Sequence, residues 1–169
     1  MNNNSKVNTK WLETINVIIM SVAFIALILT GFFIHNEEII MFIHYIGWIL
    51  WVLSVILAFS PNFIFKKYGG VQKGESYMKT TKLVNKGIYS IIRHPQYGGG
   101  IYIAFSLILI QQTLVSVILG IISIITSYLS MIFEDKRLIV KFGEDYVEYM
   151  KKVPRVNVIS GCIRKINRK

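Results

Sequence analysis

Arg93-His94-Pro95-Gln96-Tyr97-Gly98 places a guanidinium, an imidazole, a phenol and a glycine within six residues, at the start of an apolar run. A second polar cluster, Glu134-Asp135, closes the next apolar run. If both runs cross a bilayer, the two clusters fall at the same face and can meet there. Two reactive edges would then share one membrane surface, the natural setting of an active site. Each feature also has a plainer use. An Arg-His pair at a helix entrance anchors the helix at the interface, and Pro is favoured in a first helical turn whatever the function. Gly98-Gly99-Gly100 offers a packing surface, Glu134-Asp135 can be solvated charges at a helix end, and Tyr89, Tyr97, Tyr146 and Tyr149 fit an aromatic belt. It is their conjunction that points to an active site at the membrane surface.

The elements that must position these residues are helices in lipid. Of 169 residues 53% are hydrophobic and the mean hydropathy is +0.51, too apolar for an ordinary soluble domain of this size. Two runs, 15–34 and 39–59, are separated only by His35-Asn36-Glu37-Glu38. Each has about 20 residues and so a length of about 30 Å as a helix, the thickness of the hydrocarbon core. They predict a helical hairpin. A third, shorter run covers 95–110, turns at Gln111-Gln112, and is followed by a fourth over 114–133. The first run is too long and lacks the small-residue site of a cleaved signal peptide, so it is expected to remain in the mature protein.

Charge orients the spans. All 19 Lys and Arg lie in the amino-terminal tail, in the connection between the second and third runs, or after residue 133, whereas the opposite side carries only Glu37 and Glu38. The positive-inside bias places both termini and the central connection in the cytoplasm, as an even number of spans requires. The net charge of +10 is explained by topology and by attraction to anionic lipid, and with no nucleic-acid-binding motif present no nucleic-acid partner is expected. The lone Cys162 excludes an intramolecular disulfide and has no His or Cys at metal-ligand spacing, so no metal site is expected.

The 61–86 connection holds Gly69-Gly70, Lys73, Gly74, Glu75, Ser76, Thr80 and Thr81, a loop composition, and its length makes it a candidate wall of a site. After residue 133, Leu138, Phe142, Tyr146, Tyr149 and Val153 share one helical face opposite Lys141, Glu144, Asp145, Glu148, Lys151 and Lys152. That pattern predicts an amphipathic interfacial helix, bent at Gly143 and stopped by Pro154, with a mobile basic tail over 157–169. The fold expected is all-α: one membrane-integral helical bundle of about four transmembrane helices plus this carboxy-terminal helix. It forms a single domain over 1–169, with a hairpin at 15–59 and a functional core at 61–156.

The ordered strings Leu83-Val84-Asn85-Lys86-Gly87-Ile88-Tyr89, Arg93-His94-Pro95-Gln96-Tyr97, Glu134-Asp135, Phe142-Gly143-x-x-Tyr146-x-x-Tyr149 and Val153-Pro154-Arg155 resemble the isoprenylcysteine carboxyl methyltransferase family. Its superfamily includes phospholipid N-methyltransferases. The resemblance implies S-adenosyl-L-methionine as cofactor, entering from the cytoplasm, and a lipidic or small apolar methyl acceptor arriving through the bilayer. Carried over by position, it implies cofactor contacts from Thr81, Lys82, Leu83, Val84, Tyr89, His94, Pro95, Gln96, Tyr97 and Glu134. Those residue types suit the ligand: an acid for its ammonium, aromatic faces for adenine or sulfonium, and donors for its polar edges. Because the sulfonium is already an activated leaving group, the protein's task is alignment and exclusion of water, and no general base is named.

One position departs from the pattern. Where the family has an Arg that holds an acceptor carboxylate, one helical turn before the first acid, this chain has Ser130, and the second acid is Asp135 rather than Glu. A hydroxyl is a weak replacement for a charge-assisted pair. Arg93 or Arg137 is an alternative partner for a prenylcysteine-type carboxylate, and amine or thiol acceptors stay open. Two other readings compete with the methyltransferase. One is a nicotinamide-dependent membrane reductase, since sterol-reductase-like families carry a similar Arg-His-Pro-x-Tyr string in longer chains. The other is a non-catalytic membrane scaffold of the same fold.

Overall fold

A computed structural model of the chain describes residues 3–70 and 80–167. The elements are α1 (Asn3–Phe33), α2 (Met41–Tyr68), a 3-10 turn (Gly87–Ser90), α3 (Pro95–Gln111), α4 (Leu114–Phe142), α5 (Glu144–Lys152) and α6 (Val158–Ile166), with no strand among the described residues. The protein is all-helical. Among the described residues three helical segments are long and apolar enough to cross a membrane: Lys10–Phe33, Met41–Tyr68 and Leu114–Phe142. The run expected to be the third span forms helix α3, whose 17 residues give about 25 Å, short of the hydrocarbon core, so it is not among these segments.

The chain divides into two compact units. The first comprises Met1–Ser54 and Gly100–Phe133. Its helices carry large apolar side chains outward, among them Ile18, Val22, Ile25, Phe42, Ile49 and Ile118, as a lipid-facing surface does. Its interior is polar at two levels. The Asn16 amide donates to the Thr126 carbonyl at 3.0 Å and to Ser130 Oγ at 2.8 Å, tying α1 to α4. Farther along α1, the Thr30 hydroxyl donates to Gln111 Oε1 at 2.6 Å while Gln111 Nε2 donates to the Leu27 carbonyl at 2.9 Å. Each buried polar group thus meets a partner within protein, as lipid demands. The expected turn at Gln111-Gln112 is present, and Gln112 closes it through two bonds to the Ile40 backbone.

The second unit comprises Val55–Gly99 and Glu134–Lys169. Three expectations fail here. The connection expected to begin at Pro61 is helical as far as Tyr68, with Pro61 inside α2. Proline removes the bond that the Leu57 carbonyl would receive, and the Ser60 hydroxyl donates to that carbonyl instead, at 2.8 Å. Of the remaining loop, Lys73, Gly74, Glu75 and Ser76 lie outside the described residues. The fourth apolar helix does not end at Glu134-Asp135: α4 runs on to Phe142, because no helix breaker occurs before Gly143 and both acids find partners in place. The expected amphipathic helix is therefore the last turn of α4 plus α5, joined at Gly143, whose φ of 58° is a conformation that favours glycine. Finally, the tail is α6 rather than a mobile segment, its first turn capped by Asn157 Oδ1 accepting from the Ser160 N–H at 2.9 Å.

Tyr146, Tyr149 and Val153 form the apolar centre of this unit, with Leu83, Leu138, Phe142 and Met150 packed around them. Gly99 lies against the α2 backbone at Ala58, which bears out its role as a packing surface.

Candidate functional site

The 80–94 segment has little regular structure, so its course is set by bonds to its neighbours. Thr80 Oγ1 and the Thr81 N–H both bond the Gly69 carbonyl, at 2.7 and 3.1 Å. Lys141 Nζ donates to the Thr80 carbonyl at 2.6 Å. Farther on, the Tyr149 hydroxyl donates to the Tyr89 carbonyl at 2.6 Å, and the Tyr89 ring packs on Phe65 with centroids 4.9 Å apart. The N–H groups of Arg93 and His94 donate to the carbonyls of Pro154 and Arg155, at 2.9 and 3.1 Å. The strap between α5 and α6 thus holds the chain just before Pro95 opens α3.

Between these elements lies a cavity of about 410 Å³, within the range of small-molecule sites. The 80–94 segment supplies Lys82, Leu83, Val84, Tyr89, Arg93 and His94, and the first turn of α3 supplies Pro95, Gln96 and Tyr97. The end of α4 adds Glu134, Arg137, Leu138, Lys141 and Phe142, while Phe65, Tyr146 and Tyr149 complete the wall. Nine of the ten expected positions line it. Thr81 does not: it borders an adjoining cavity of about 580 Å³ with Asn85, Asp145, Glu148 and Lys152, and its neighbour Thr80 reaches the main wall instead.

Behind the wall stands a buried hub around Asp135, a residue that the sequence grouped with Glu134 but to which it assigned no contact. Asp135, 3% exposed, accepts from His94 Nε2 at 2.7 Å and from the Tyr146 hydroxyl at 2.6 Å through one oxygen. Its other oxygen accepts from Arg155 Nε at 2.9 Å and faces Arg93 Nη2 at 3.6 Å. One carboxylate therefore fixes the imidazole, closes α5 onto α4 and latches the strap. Two signals in the sequence pointed this way. Successive residues on a helix diverge by about 100°, so Glu134 and Asp135 cannot both face one cavity. Arg155 also stood in the motif without a role, and Tyr146 with none beyond the aromatic belt and the apolar helical face.

The two acids thus divide the work. Glu134 reaches the cavity and pairs with Arg137 at 2.5 Å, in a half-exposed setting. Arg93 is a buried cation whose Nε and Nη1 have no hydrogen-bond partner among the described residues. Burial, reinforced by the bond to Asp135, pushes the Tyr146 phenol well above its ordinary pKa, and burial does the same to Tyr149. Both stay neutral donors. The wall combines aromatic surface, one accessible acid, an oriented imidazole and excess positive charge, which fits a ligand with both an ammonium and an anionic group.

The family model described as phospholipid methyltransferase matches residues 42–145, more than half of the chain. The match takes in the cavity from Phe65 to Phe142 and leaves α1, Tyr146, Tyr149 and the Arg155 strap outside. Comparison with curated proteins finds no match, and comparison with solved structures finds none. With helices long and apolar enough to cross a membrane and a family match over residues 42–145 that takes in most of the ordered motifs, the chain belongs to the phospholipid methyltransferase family, in the membrane superfamily that also holds the isoprenylcysteine methyltransferases.

Proposed function

We propose that the chain is an integral-membrane methyltransferase that uses S-adenosyl-L-methionine and acts on a lipidic acceptor at the cytoplasmic face, with both termini in the cytoplasm. The observation that carries this reading is the convergence of His94 and Glu134 on one aromatic-walled cavity inside the family-matched region. The residues fit the cofactor's parts. Glu134 suits the ammonium, and Arg93, a cation of the same wall, suits the carboxylate. Tyr89, Tyr97 and Phe142 offer flat faces for the adenine, and Lys82, Leu83, Val84, Pro95 and Gln96 complete the wall. Thr81, at the adjoining cavity, would act through its neighbours.

When bound, the cofactor supplies a methyl group on a sulfonium that is already activated for displacement. The chain's own contribution is alignment. His94, held at Nε2 by Asp135, presents a ring of fixed orientation to the cavity. Tyr146 and Tyr149 remain protonated and seal the inner wall against water. No side chain is needed as a covalent nucleophile.

The acceptor group we infer is a phospholipid head-group amine rather than a carboxylate. Ser130, which stands where a carboxylate-holding Arg would be, carries no charge, and its hydroxyl is engaged by Asn16 Nδ2 and the Thr126 carbonyl. A saturable S-adenosylhomocysteine isotherm with the purified protein in detergent, with NADPH as the control ligand, tests the cofactor. No binding would overturn the reading, and binding of NADPH alone would replace it with the reductase. Native membranes given methyl-labelled cofactor should carry label in lipid head groups. Label in base-labile esters would overturn the amine assignment alone.

A further inference from the structure

Helix α6 has two apolar aspects, and among the described residues only one of them is packed. Gly161 is buried against the chain just before the cavity wall, so close that a Cβ there would stand 2.1 Å from the Ile91 carbonyl oxygen. Val158 and Cys162, on the same side, are half-buried. Ile159, Ile163 and Ile166 recur at i, i+4 and i+7, so they share one stripe that turns away from this seat. They are 76%, 53% and 70% exposed. Arg164 and Lys165, both exposed, lie in the last turn on the side opposite the stripe.

We propose that α6 is an interfacial helix whose isoleucine stripe enters the head-group boundary of an anionic leaflet while Arg164 and Lys165 grip lipid phosphates. Three large aliphatic side chains in a row are costly in water. A chain with helices long and apolar enough to cross a membrane keeps α6 near a bilayer, and an apolar stripe with cations on the opposite, polar side is the pattern that lies in a lipid surface. The charge complementarity selects acidic lipid over a neutral apolar protein groove. The helix is also joined to the site: the strap that leads into it bonds the Arg93 and His94 backbone, and Gly161 seats on Ile91. Lipid engagement therefore steadies the segment that opens α3.

The test uses the full chain in nanodiscs of phosphatidylcholine, alone or mixed with phosphatidylglycerol. A nitroxide is placed at Ile159→Cys, Ile163→Cys or Arg164→Cys in a Cys162→Ser background. The expected result is a higher ratio of oxygen to nickel-chelate relaxation at 159 and 163 than at 164. The labels at 159 and 163 should move deeper when phosphatidylglycerol is present. The double variant Arg164→Glu with Lys165→Glu should abolish the phosphatidylglycerol-dependent part. Equal nickel-chelate access at all three positions would overturn the proposal. So would labels shielded from both reagents, which would mean a protein partner or a second copy covers the stripe. This readout does not depend on cofactor binding, so the methyltransferase reading stands or falls separately.

Discussion

Glu134 and Asp135 are adjacent acids with different duties, and substitution should separate them. Glu134 lines the cavity in a half-exposed ion pair, so Glu134→Gln is expected to weaken S-adenosylhomocysteine binding about 10- to 100-fold, the range for losing a charged hydrogen bond, with the thermal midpoint nearly unchanged. Asp135 is a buried anion between two guanidiniums. Asp135→Asn leaves those cations uncompensated and should cost about 3–5 kcal/mol of stability, seen as a large drop in thermal midpoint in detergent. Equal thermal loss in both variants would contradict this division. His94→Ala should also weaken binding, since the ring is both part of the wall and pinned by Asp135. The sequence marked His94 and Glu134 because their types and motif order were visible. It could not rank Asp135 as a hub, because its four partners come from positions 93, 94, 146 and 155.

At the scale of elements, small local devices decide where helices stop or continue. Pro61 reads as a helix end, yet α2 passes through it, with the Ser60 hydroxyl serving the carbonyl that proline abandons. Ser60→Ala should therefore destabilise by about 1 kcal/mol, whereas the same change in a Pro61→Ala background should cost less; a denaturation cycle of the four proteins measures the coupling. Gly143 works the other way, ending α4 at a φ of 58° and redirecting the chain into α5. Gly143→Ala meets no steric obstacle in its surroundings, so its cost is conformational, about 1–3 kcal/mol by thermal melt. The bend was legible from glycine within an amphipathic pattern. The continuation of α4 past Glu134-Asp135 was not, because polar residues at the end of an apolar run mark a change of environment, and the helix itself did not stop.

For the molecule as a whole, the buried phenols give stability a characteristic pH profile. Tyr146 and Tyr149 hold their protons in the folded state to higher pH than in the unfolded chain, where phenols ionise near pH 10. Their contribution is complete below about pH 10 and is lost above it, as the unfolded chain releases protons that the native state keeps. Thermal midpoints in detergent should thus be flat, as far as these groups govern them, up to about pH 10 and fall beyond. Tyr149→Phe should reduce the slope of that fall.

Composition and periodicity by themselves determined that this is an all-helical membrane protein, because the spacing of apolar residues against the thickness of lipid leaves few other solutions. Motif order marked the family, and nine of the ten residues it singled out line the cavity, since those signals are carried by residue type and position in the chain. Tertiary structure alone decided that Asp135 sits behind the wall, that Thr80 replaces Thr81 at the cavity, and that the basic tail folds as α6 against Ile91. Those outcomes depend on contacts between segments far apart in sequence, where packing and hydrogen-bond satisfaction, rather than local pattern, choose among conformations that the chain could otherwise adopt.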